Sequence, residues 1–305
     1  NAWMTGNECL FALTGQTDLG VCASYMKTLA EECKRLVSSQ DTVISMCAAP
    51  VKVFGDIHGQ LKDVLNLFRH FGFPSNLGGG DIESLRYIFT GNYVDYGSHQ
   101  VETMMLLMAL KVAFPGHVYL LRGSHECKSQ NASTTSQGSL GFDSSCSRYF
   151  GATNGGVVYD AVQDVFQWLP LAAVVAKSIL VCHGGIGQGD WTIDQLKSAS
   201  ASLRPLPEMF PITTAAGGYV ANILWSDPMP PPNVGDMETE LEESPRGPGL
   251  YTFSEAVTKR FCNTNRLHMI IRAHELPTEG YEIHHQGLLW TVASCRSAGK
   301  AATMM

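Results

Sequence analysis

Side chains able to do chemistry recur in this chain at one kind of place, immediately behind a short apolar run. Asp56 and His58 follow the run 51–54, and Asn92 and Asp95 follow 87–90. Ser124, His125 and Glu126 follow 117–121, His183 follows 179–182, and His274 follows 267–271. One carboxylate and three histidines are donors suited to zinc, iron or manganese, whereas magnesium prefers more oxygens. Two such ions about 3.5–4 Å apart clamp the attacking and leaving oxygens of a phosphoryl group and supply hydroxide near neutral pH. A carboxylate beside His125, such as Asp95, fixes the imidazole tautomer and makes an oriented acid. A single histidine at the end of a run is ordinarily a hydrogen-bonded structural residue, and a single Gly-Asp is ordinarily a turn. Five such pieces in succession argue instead for one crevice.

The elements that must position these residues alternate. The apolar runs 51–54, 87–90, 117–121, 172–176, 179–182 and 267–271 have strand length, and several stop at a glycine: Gly55, Gly91 and Gly123. Helical spacing marks 21–39 through Val21, Met26, Leu29, Cys33 and Val37, and it recurs over 60–71 and 101–112. Alternating strands and helices predict an α/β layered domain, in which ligands bind beyond the carboxyl ends of the strands. The polar loops 74–81, 128–139 and 228–249 interrupt the hydrophobic pattern without dividing it. One domain is therefore expected over 21–298, between an N-terminal arm (1–20) and a C-terminal tail (299–305). The glycine run Gly185-Ile186-Gly187-Gln188-Gly189 lacks the spacing of a dinucleotide loop, so a nucleotide-binding module is rejected.

Composition narrows the class. A net charge of −7 disfavours a nucleic-acid partner. No run reaches membrane-spanning length, and the opening residues lack the order of a signal peptide, so a cytoplasmic protein with no membrane association is expected. Nine cysteines without a C-x-x-C pair suit reduced thiols. Charged residues make up 16% of the 305, against roughly 25% in ordinary soluble proteins, which fits a surface partly covered by protein partners.

These residues also resemble a family. Gly55-Asp56-Ile57-His58-Gly59-Gln60, Gly91-Asn92-Tyr93-Val94-Asp95-Tyr96-Gly97 and Arg122-Gly123-Ser124-His125-Glu126 are similar to the G-D-x-H-G, G-D-x-V-D-R-G and R-G-N-H-E motifs of the PPP family of serine/threonine phosphatases. Cys182-His183-Gly184-Gly185, Leu224-Trp225-Ser226-Asp227-Pro228, Ser244-Pro245-Arg246-Gly247 and Arg272-Ala273-His274-Glu275 match further segments in order. The resemblance covers about residues 22–298. It implies the calcineurin-like metallophosphoesterase fold, a central β-sandwich flanked by helices with a metal centre at its edge. It assigns Asp56, His58, His183 and His274 as metal ligands, His125 with Asp95 as the general acid, and Arg246 as a phosphate-binding residue. Manganese, iron or zinc would be the cofactors, phosphoproteins the substrates, and regulatory subunits the partners.

Three positions depart from the pattern. Asn92 stands where the family has the aspartate that bridges both metals, Ser124 where it has an asparagine ligand, and Tyr96 where it has an arginine that grips phosphate. The C-terminal S-A-P-N-Y-C-G segment is also missing, since Ser297-Ala298 runs into Gly299-Lys300. A neutral amide bridges two dications poorly, and a serine hydroxyl is a short, weak ligand, so one ion or none is expected instead of two. The expectation is a pseudophosphatase serving as a binding or scaffold component of a complex. The alternative is an active metal-dependent protein serine/threonine phosphatase.

Overall fold

The computed structural model describes residues 18–46, 50–132, 140–207, 214–231, 239–296 and 299–305. Most of the expected N-terminal arm, and parts of the loops 128–139 and 228–249, lie outside the described residues. The chain opens with α1 (Leu19–Ser38), whose first turn is capped by the Asp18 carboxylate accepting from Gly20 and Val21 N–H. There follow β1 (Val43–Met46), β2 (Val51–Phe54), α2 (Leu61–Phe71), β3 (Arg86–Phe89), α3 (Gln100–Ala113) and β4 (Val118–Leu120). A helical stretch comes next: α4 (Lys128–Asn131), α5 (Phe142–Phe150) and α6 (Ala152–Phe166). The second half holds β5 (Ala172–Val175), β6 (Ile179–Cys182), α7 (Ile193–Ser202), α8 (Ala215–Trp225), β7 (Leu241–Glu243) and β8 (Tyr251–Phe253). It ends with α9 (Glu255–Asn265), β9 (Met269–Arg272), β10 (Tyr281–His284), β11 (Leu289–Val292) and β12 (Thr303–Met304).

The strands form two main sheets. One has six strands in the order β1-β5-β6-β9-β11-β10, the other four in the order β12-β2-β3-β4. Between them lies a core drawn from both, including Ile44, Val53, Ile88, Leu121, Val181, Ile271 and Val292. Strand β2 is buried at all four residues because both its faces are covered. Val53 joins the inter-sheet core, whereas Phe54 joins Phe89, Leu120 and the helices α1, α3, α5 and α6 on the outer face. The six-stranded sheet is covered in turn by α7, α8 and α9 through Leu196, Ile223 and Phe261. This is the expected sandwich between helical layers.

The two sheets meet at one edge, and glycine makes that closeness possible. Asp56 bridges to Ala293, just past β11, and a Cβ on Gly55 would sit 1.8 Å from the Val292 carbonyl oxygen. Gly55 N–H instead donates to Ser294 Oγ at 2.9 Å, and Ser294 Oγ–H to the Ala302 carbonyl at 2.7 Å. The closing residues, expected as a tail, include β12, which pairs antiparallel with β2 at Val53 and Phe54.

Candidate functional site

All five strand-end groups arrive at this edge of the sandwich, in backbone held tightly enough to sustain strain. His58, Asn92, Asp95, Tyr96 and His274 have φ of 47°, 53°, 67°, 61° and 67°, in the left-handed region that non-glycine residues enter only where the surroundings over-determine it. The turn after β3 lies against the turn after β2, since the Asn92 carbonyl accepts from Ile57 N–H at 3.0 Å and His58 N–H at 2.8 Å. Gly91 lies so close to Gly123 that an added Cβ would come within 2.3 Å of its nitrogen.

Glu126 ties the turns after β3 and β4 together. Its fully buried carboxylate accepts from Asn92 N–H (2.7 Å), Gly123 N–H (2.8 Å) and Tyr93 N–H (2.9 Å). Burial pushes this acid up to about 7, against the pull of those three donors.

The side chains inside the crevice bond to one another. Asp56, fully buried, accepts from His274 N–H at 3.1 Å through Oδ1 and from Asn92 Nδ2 at 3.0 Å through Oδ2. His58 places Nε2 3.3 Å from the same Oδ2 and donates Nδ1–H to the Val94 carbonyl at 2.9 Å. His183 donates Nδ1–H to the Thr90 carbonyl at 3.1 Å, so its Nε2 is an acceptor, 3.1 Å from His274 Nδ1. Ser124 Oγ lies 3.2 Å from Asn92 Oδ1, 3.2 Å from His183 Nε2 and 3.3 Å from His274 Nδ1. His274 Nε2 is buried with no hydrogen-bond partner among the described residues, and its ring meets Trp225 edge-on at 5.5 Å.

Charge is distributed unequally. Burial pushes Asp56 up, but the hydrogen bond from His58 and the nearby His183 outweigh it, and the carboxyl falls to about 2. Burial pushes His58 down, but Asp56 outweighs it and the imidazole rises above its ordinary value. Burial takes His183 down to about 3 and, reinforced by the nearby guanidinium groups of Arg246 and Arg272, takes His274 well below its usual range. The negative charge of Asp56 is thus answered by His58, while the other two rings stay neutral.

His125 and Asp95 are brought together as expected, with Nδ1 and Oδ2 2.6 Å apart. The other Asp95 oxygen accepts from Phe142 N–H at 3.0 Å, Asp95 N–H donates to Gln100 at 3.0 Å, and Asn131 Nδ2 donates to the His125 carbonyl at 2.8 Å. Burial lowers His125, against the hydrogen bond that its ring donates to Asp95. The Tyr96 ring sits edge-on to His58 at 4.8 Å and to His125 at 5.3 Å. Arg246 is paired with Asp227, which also accepts from the buried Arg272 at 2.6 Å. Glu126, Asn131, Gln100 and Trp225 carry this geometry without having been assigned roles from sequence. Glu126 and Trp225 stood inside motifs and Asn131 in the polar loop 128–139, whereas nothing marked Gln100.

The family model of the calcineurin-like phosphoesterases matches residues 49–277. The chain belongs to that family. It is 38% identical over 282 residues to the serine/threonine-protein phosphatase BSL2 of Arabidopsis thaliana, covering 91% of this chain and 26% of that relative. It is 33% identical over 292 residues to the serine/threonine-protein phosphatase PP2A-like PPG1 of Saccharomyces cerevisiae, covering 92% of this chain and 71% of the yeast protein. Among solved structures, a serine/threonine phosphatase from Saccharomyces cerevisiae with similarity to human phosphatase PP5 superposes with a TM-score of 0.74 at 26% identity, covering 92% of this chain and 81% of that one. The chain is therefore a PPP-family serine/threonine phosphatase homologue.

Do the residues of this chain fit the family's divalent metals? A backbone N–H can only donate, and His125 N–H lies 2.9 Å from the Asn92 side-chain atom that must therefore be Oδ1. The Asn92 NH2 group is thereby turned to Asp56 Oδ2 at 3.0 Å and His58 Nε2 at 3.5 Å. The group between the first pair of ligands is a hydrogen-bond donor with no lone pair to offer. Around Ser124, His183 and His274 the donors are all neutral. Among the described residues, no group of three or more His, Cys, Asp or Glu is disposed to hold a metal ion. The crevice does not fit a metal pair.

Proposed function

We propose that this chain is a pseudophosphatase, a PPP-family scaffold that has lost two-metal phosphate-ester hydrolysis and serves as a binding or structural component of a protein complex. The observation that carries the proposal is the orientation of Asn92, whose NH2 group points at Asp56 from the position where the resemblance expects a bridging carboxylate. Ser124 and Tyr96 support it. The serine hydroxyl is hydrogen-bonded within the crevice, and the tyrosine ring lies against His58 and His125 where a phosphate-gripping guanidinium is expected. Losing one bidentate, charge-assisted contact of that kind forfeits about 1.5–3 kcal/mol, or about one to two decades in rate. The buried cysteines among the described residues, none of them in a disulfide there, suit a reducing, cytoplasmic setting.

A second reading, a residually active phosphatase acting on phosphoproteins with manganese, iron or zinc, is favoured by the intact His125–Asp95 pair. Aryl-phosphate turnover in excess manganese separates the two. The proposal expects a rate no higher than that of His125→Ala, and a rise of several decades in the triple variant Asn92→Asp, Ser124→Asn, Tyr96→Arg. Wild-type turnover abolished by His125→Ala would end it.

A further inference from the structure

The crevice residues do more than lack a grip on metal. Asp56, Asn92, Ser124, His183 and His274 come from the ends of five different strands, β2, β3, β4, β6 and β9, and the network they form joins both sheets. Asn92 is the hub, because Oδ1 accepts from His125 N–H and lies 3.2 Å from Ser124 Oγ while Nδ2 donates to Asp56. Asp56 Oδ1 holds the backbone of His274, and Ser124 Oγ lies within 3.3 Å of both the His183 and His274 rings. Asn92 and His274 are themselves held at positive φ, so the strained turns and the network coincide.

We infer that this Asn92-centred network takes the structural place of the metal pair and locks the two sheets at their shared edge, so that the stability of the fold is independent of divalent metal. The inference deepens the proposed function and shares with it the orientation of Asn92. Its physical content is a sign. With an amide at position 92 the crevice is complete without a cation. With a carboxylate there, two buried negative groups about 3 Å apart repel and a cation becomes necessary.

The test is the thermal midpoint of the full chain, measured in a chelator and again in excess manganese chloride, for wild type, Asn92→Asp and Asn92→Ala. Wild type is expected to melt at the same temperature in both, within about 1 °C. Asn92→Asp is expected to melt about 5 °C or more lower in chelator and to recover in manganese. Asn92→Ala, which removes both halves of the hub, is expected to melt lower in both buffers without recovery. A wild-type midpoint that falls on chelation or climbs with manganese would overturn the inference, as would Asn92→Asp melting like wild type in chelator. Should Asn92→Asp not fold in either buffer, the wild-type and Asn92→Ala comparisons decide. The two proposals fail separately. Turnover with a chelator-insensitive midpoint removes the pseudophosphatase reading alone, and a chelator-labile midpoint without turnover removes this inference alone.

Discussion

Glu126 offers a test of what holds the crevice in shape. Replacing it with glutamine keeps the size of the side chain and removes its charge and one acceptor. The glutamine oxygen can stay with Asn92 and Gly123 N–H, which share Oε2, but its NH2 group then meets Tyr93 N–H, which now donates to Oε1 at 2.9 Å. One charge-assisted hydrogen bond, worth about 1.5–3 kcal/mol, is lost, and facing donors are left buried at a further cost of about 1–3 kcal/mol. Relief from burying a charge offsets part of this, so a net loss of about 2–4 kcal/mol is expected. At this chain length that corresponds to a fall of about 3–6 °C in midpoint. Urea unfolding at about pH 8, above the value of about 7 to which burial pushes the acid, measures the variant against wild type with the carboxylate ionised. Amide exchange supplies the residue-level readout, in which Tyr93 should lose protection while Asn92 and Gly123 keep theirs. A change below about 0.5 kcal/mol, or equal loss of protection at all three amides, would refute the view that Glu126 clasps the two turns.

Gly55→Ala is expected to cost more than about 4 kcal/mol or to prevent folding, since its methyl group would fall 1.8 Å from the Val292 oxygen, and the soluble yield and urea midpoint report it. Arg272→Met leaves Asp227, Glu275 and the Gly184 and Ser226 carbonyls without the guanidinium they share, so a loss of about 3–5 kcal/mol is expected in the same assay. Lys111 gives a pH dependence. Burial pushes its ammonium group down to about 8 while the unfolded chain keeps the ordinary value of 10.5, so the unfolded state binds more protons between those values. Stability from this site should rise as pH climbs from about 8 to about 10.5 and be lost as pH falls through about 8. The gap between wild type and Lys111→Met, followed by urea midpoint, should move in that direction.

The parts of the fold that read well from sequence are those whose signal is local. Strands 51–54 and 179–182 are found at those residues, because an apolar run between a polar approach and a turn leaves little freedom. Helix α6 did not, since Gly155 and Gly156 weaken its propensity. Gly155 is tolerated because the helix presses on α5, where an added Cβ would meet the Cys146 carbonyl oxygen at 2.6 Å. Strand β12 has only two residues and exists through pairing with β2, which no local pattern announces. In the crevice, the identities of the converging residues were legible because strand ends must face one edge. The partners that fix their chemistry were not. The Thr90 and Val94 carbonyls set the tautomers of His183 and His58, and His125 N–H sets the orientation of Asn92. These are backbone groups, present at every position, and only the fold selects them.

The most direct measurement is the manganese content of the intact chain, by elemental analysis after purification in manganese and removal of loosely held ions. With the Asn92 NH2 group between Asp56 and His58, fewer than one ion per chain is expected to remain, rising to about two in the triple variant Asn92→Asp, Ser124→Asn, Tyr96→Arg. Two ions per wild-type chain would contradict the account at its centre.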